Sequence, residues 1–65
     1  MLEKERTWLK NWRHGRNLTQ NAAADLLNIK RARYAHFETG RRSPDPKTAK
    51  RMAETIGLDW GIFFE

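Results

Sequence analysis

A chain of 65 residues with no cysteine has neither a disulfide framework nor a thiolate metal site, so packing in a single domain, residues 1–65, has to hold it. Three Trp, three Phe and one Tyr supply the packing area. No apolar run approaches the roughly 20 residues of a membrane span, the N-terminus lacks a signal-peptide core, and a cytoplasmic protein is the reading that follows.

The apolar residues recur at helical spacing, Val is absent, and no useful period-two alternation occurs. A first helix is predicted over about residues 3–14, with Trp8, Leu9 and Trp12 on one side. Gly15 and Asn17 then tolerate the turn that ends it. Thr19 is the expected N-cap of a second helix from Gln20 to Leu27. Its run Ala22-Ala23-Ala24 joins high helix propensity to little bulk, so a crossing helix can approach closely. Asn28 follows where the turn needs positive φ, and Ile29 is expected as a buried plug.

A third helix is predicted from Lys30 or Arg31 to Thr39, closed by Gly40. Tyr34 and Phe37 form its inner face, which leaves Arg31, Ala32, Arg33 and His36 outside. Arg41-Arg42-Ser43-Pro44 reads as a loop. Asp45 as cap and Pro46 at the first helical position open a fourth helix that ends near Gly57, with Ala49, Met52, Ala53 and Ile56 inward. A last short helix from Asp59 carries Trp60, Phe63 and Phe64. The expected fold is all-α, a compact bundle of five short helices without repeats or linkers.

The charge is not evenly spread. Lys30, Arg31, Arg33, Arg41 and Arg42 share one window with a single acid, Glu38, and so account for most of the net +5. A focused positive patch beside a nearly neutral remainder points to a polyanion docking at one place. Residues 18–40 add the geometry: two short helices meet at a tight turn, the second loaded with Arg, Tyr and His. In a helix-turn-helix one helix braces the DNA backbone while the next lies in the major groove.

These residues resemble the Cro/repressor-type, lambda-repressor-like helix-turn-helix domains of the XRE family. The resemblance runs from about Leu9 to Phe64. It rests on Leu9-Lys10 with Arg13, Leu18-Thr19-Gln20, Ala24, Leu27-Asn28-Ile29, Phe37-Glu38-Thr39-Gly40-Arg41-Arg42 with Pro44, and Ala53 with Gly57-Leu58. It implies that residues 20–27 brace, that residues 31–39 recognise, and that Arg13 and Glu38 form a structural ion pair. Three positions depart from the family pattern. Asn28 stands where Gly is usual, Ala23 where Leu is usual, and Thr39 where Asn often precedes Gly40. The bulk of Trp12 and Phe37 is expected to fill the space beside Ala23.

Arg31, Ala32, Arg33 and His36 are the candidate base contacts. Arg matches guanine O6 and N7 in a bidentate way and Ala32 suits a thymine methyl. Arg33 stands between base and phosphate, and His36 between a DNA contact and an exposed histidine with no role. Gln20, Lys30, Thr39, Arg41 and Arg42 are the candidate backbone contacts, where binding releases counterions. Trp60, Phe63 and Phe64 read either as core or as a dimer interface. The expected partner is double-stranded operator DNA, bound by a weak homodimer that forms fully on it, with no membrane and no small-molecule ligand.

The leading function is thus a sequence-specific transcriptional regulator, a phage or mobile-element Cro-like repressor in a bacterial cytoplasm. The alternative is an antitoxin or antirepressor that binds a protein through its aromatic C-terminus. An enzyme is not expected, because His14 and His36 lie on different helices without acidic partners and no phosphate-cradling Gly-rich loop or triad occurs. No cofactor or metal is expected. RNA binding lacks an aromatic platform for unpaired bases.

Overall fold

In a computed structural model, which describes residues 5–64, the chain forms α1 (Thr7–Gly15), α2 (Gln20–Leu27), α3 (Arg31–Thr39) and α4 (Pro46–Ile56), followed by a 3₁₀ turn at Trp60–Phe64. The described residues therefore hold four α-helices, not the five expected. The last segment is only 5 residues long and includes Gly61, a poor helix former, and Ile62 N–H bonds Asp59 O at the tighter three-residue spacing. The expected first helix begins only at Thr7, and residues 3 and 4 lie outside the described part.

Local chemistry accounts for most element ends. Thr19 Oγ1 accepts from Ala22 N at 3.1 Å and opens α2, and Asp45 Oδ2 accepts from Thr48 N at 3.4 Å and opens α4 with Pro46 behind it. Asn28 closes α2 in the left-handed region at φ 61°, as the sequence predicts. After α1 the left-handed position falls on Asn17, at φ 57°, and Gly15 stays helical.

The core gathers Leu9 from α1, Ala23, Ala24 and Leu27 from α2, Tyr34 and Phe37 from α3, Ala49, Met52 and Ala53 from α4, and Phe63. Fully buried Ala23 and Ala24 let α2 pack closely on both α3 and α4. Ile29 is only half-buried, a packing neighbour of the core instead of the plug expected. Trp12 is likewise half-buried at the core edge, under the Arg16 guanidinium 5.6 Å from its ring centroid. No described helix is long and apolar enough to cross a membrane.

Candidate nucleic-acid interface

The α2–turn–α3 unit is held by a buried carboxylate. Glu38 is 2% exposed, and both of its oxygens are doubly engaged. Oε2 accepts from Arg13 Nε and from the Tyr34 hydroxyl, each at 2.8 Å. Oε1 accepts from Arg13 Nη2 at 3.2 Å and Gln20 Nε2 at 3.1 Å. Arg13 also donates to Leu18 O at 3.0 Å. One carboxylate thus ties α1, α2 and α3 together, and the ion pair implied by the resemblance is its strongest arm. Burial alone would raise the Glu38 carboxyl. The hydrogen bonds from Arg13, Gln20 and Tyr34 outweigh it and hold the group below the ordinary carboxylate value. Tyr34 moves the other way, raised by burial and by its bond to Glu38.

On this scaffold Arg31, Ala32 and Arg33 are exposed in the first turn of α3, and His36 is half-buried one turn on. Arg33 reaches back to Asp45 Oδ1 at 3.6 Å and lies 5.5 Å over the Phe37 ring. Exposed Lys30 stands at the N-cap of α3 and offers that helix no side-chain cap. Exposed Arg41 and Arg42 follow Gly40, which closes α3 at φ 83°. Apart from Gln20 at the start of α2, the candidate base and backbone contacts fall in one continuous stretch, from the α2–α3 turn through α3 into the loop beyond it.

Several side chains are placed differently from a bare sequence reading. The Gln20 amide donates to Glu38, although a primary amide keeps a second N–H for another acceptor. The single proton of the Thr39 hydroxyl goes to His36 O at 3.3 Å. Tyr34 is on the inner face as expected, and its hydroxyl is spent on Glu38. Phe63 is core at 2% exposure, edge-on to Trp8 with centroids 5.1 Å apart, so it cannot present a dimer surface. Phe64 is 50% exposed, and Trp60 is half-buried beneath Lys50 Nζ.

Arg6 was not legible as a site residue at all. It is buried beside the end of α3 and bonds groups 31 to 57 positions away along the chain. Neither periodicity nor local spacing carries such a signal.

A short helix, a left-handed asparagine turn and a second helix with a basic exposed edge define a helix-turn-helix. Comparison with known proteins agrees: the helix-turn-helix family profile matches residues 9–63, and the chain belongs to that family, of the XRE type. It is 42% identical over 60 residues to the uncharacterized HTH-type transcriptional regulator YqaF of Bacillus subtilis strain 168, a match covering 92% of this chain and 79% of that protein. It is also 34% identical over 50 residues to YonR of the same strain, an SPbeta prophage-derived uncharacterized HTH-type transcriptional regulator. That match covers 77% of this chain and 46% of the relative. No solved structure matches at the same level of significance.

Proposed function

We propose that this chain is a transcriptional regulator that binds double-stranded DNA in a sequence-specific manner, as a Cro-like repressor of phage or mobile-element type. The observation that carries the reading is the exposed run Arg31-Ala32-Arg33 at the start of the second helix of the unit, where such helices meet base edges. Arg31, Ala32, Arg33 and His36 read bases, and Lys30, Arg41, Arg42 and the remaining N–H of the Gln20 amide hold phosphates, with Thr39 joining them only by giving up its bond to His36 O. The names of the two relatives support a regulator, and the prophage origin of one supports the mobile-element setting.

The chain acts by occupying an operator, as a binding protein and not an enzyme, in the bacterial cytoplasm. Its dimer contact rests on Trp60 and Phe64, with Leu58, 43% exposed, alongside. Half-sites then lie about one helical turn, roughly 34 Å, apart.

Selection of bound sites from a random duplex-DNA pool tests this. An enriched motif with two inverted half-sites is the expected result. Salt-sensitive binding without enrichment overturns sequence-specific repression.

A further inference from the structure

We propose that Arg6 is a positioning residue for DNA binding, fixing the loop after α3 so that Arg42 meets a phosphate from a preset backbone. The proposal rests on the DNA-binding reading above. The Arg6 guanidinium is buried, and no carboxylate among the described residues pairs with it. Four neutral acceptors hold it instead. Nη1 donates to Phe37 O at 2.6 Å and Arg42 O at 3.1 Å, and Nη2 to Ser43 Oγ at 2.8 Å and Phe63 O at 3.0 Å. The Phe63 ring packs against it 5.6 Å away, and Arg6 N–H bonds Glu38 O at 2.9 Å. Burial lowers its pKa.

Two of the four acceptors belong to the loop itself, and this separates Arg6 from a general staple. The Arg42 carbonyl is held by Arg6 while the Arg42 N–H donates to His36 O at 3.2 Å. Both peptide groups flanking the Arg42 Cα are therefore fixed, yet Arg42 itself is exposed. An arginine presented from a fixed backbone loses less freedom on meeting a phosphate. The fork is needed because its two nitrogens span acceptors on α3, the loop and the C-terminal turn at once. A lysine carries the charge on one nitrogen and cannot.

The test measures binding to a mixed-sequence DNA duplex as a function of salt, for the wild type, Arg42→Ala, Arg6→Lys and their combination. Circular dichroism first sets a temperature at which each variant is folded. Arg42→Ala should lower the slope of log K against log salt by about 0.9, the contribution of one phosphate contact. Arg6→Lys preserves net charge, so long-range attraction is unchanged, and it should produce the same loss. Arg42→Ala on top of it should add nothing, whereas Arg31→Ala should add its full effect.

A folded Arg6→Lys protein with the wild-type slope, in which Arg42→Ala still has its full effect, overturns the proposal. So does failure of both Arg6→Lys and Arg6→Gln to fold at any temperature, which makes Arg6 a folding residue alone. If the wild type does not bind the duplex, the DNA reading itself falls. If it binds but Arg42→Ala has no effect there, only the positioning role is lost.

Discussion

Tyr34 and Glu38 sit one turn apart on α3, and the tyrosine hydroxyl donates to the carboxylate at 2.8 Å inside the core. The ring that fills the centre of the bundle also completes the set of donors around its buried anion. Arg13 forks onto that anion from α1 and Gln20 reaches it from α2, so a single charge links the three helices α1, α2 and α3.

Removing donors should therefore destabilise in a graded order. Tyr34→Phe takes one hydrogen bond from a charged acceptor and should cost about 1.5–3 kcal/mol. Arg13→Ala strands the buried charge and should cost about 3–5 kcal/mol, a large part of the stability of so small a chain. Urea unfolding of both variants checks the order, which a milder Arg13→Ala than Tyr34→Phe would contradict.

The pH dependence follows from the signs. Glu38 is held below its ordinary value in the fold, so its contribution is present above the unfolded value of about 4.3 and is lost as pH falls through the folded one. Tyr34 is raised, so its contribution is present below about pH 10 and is lost as pH rises through the folded value. Unfolding midpoints between pH 2 and 11, with the ends set roughly by these values, should fall at both extremes. Glu38→Gln should flatten the acid limb, and Tyr34→Phe the alkaline one.

The left-handed positions give a purely conformational test. Asn28→Ala and Gly57→Ala each place a methyl-bearing residue at positive φ and should cost about 1–2 kcal/mol. At Gly57 the added Cβ meets nothing within 4 Å, so any loss there comes from φ 92° and not from a clash. Asn28→Gly should be close to neutral in a thermal melt.

Base and phosphate roles separate by specificity. Arg31→Ala should relax discrimination at one base pair by about 1–3 kcal/mol, whereas Lys30→Ala should weaken binding to all duplexes alike and reduce the salt slope. Asp45→Asn keeps the cap of α4 but releases Arg33 from its exposed partner. A change in the selected motif at one position would then identify Arg33 as a base reader. An unchanged motif would place it on the backbone.

The aromatic end should split in two. Phe63→Ala empties a core site and should cost about 3–5 kcal/mol. Phe64→Asp should leave thermal stability nearly unchanged while weakening self-association in sedimentation and binding to paired half-sites. Reporter repression that survives Arg31→Ala but not Phe64→Asp would favour a protein partner over an operator.

What the sequence determined alone is local. Thr19 and Asp45 mark helix starts because a side-chain oxygen reaches an amide three residues on. Asn28 and Gly40 mark stops because few residues accept positive φ. The spacing of Tyr34 and Phe37 assigns the outer edge of α3 to Arg31, Ala32, Arg33 and His36. The pairing of Arg13 with Glu38 came from the family pattern, since residues 25 apart have no local reason to meet. Tertiary structure alone decided the rest: which way the Tyr34 hydroxyl turns, where the Gln20 amide is spent, which of Phe63 and Phe64 is core, and that Arg6 anchors the loop after α3. Each of these depends on how helices distant in sequence come to share a buried volume, where a polar atom must find whatever partner the packing brings within 3 Å or so.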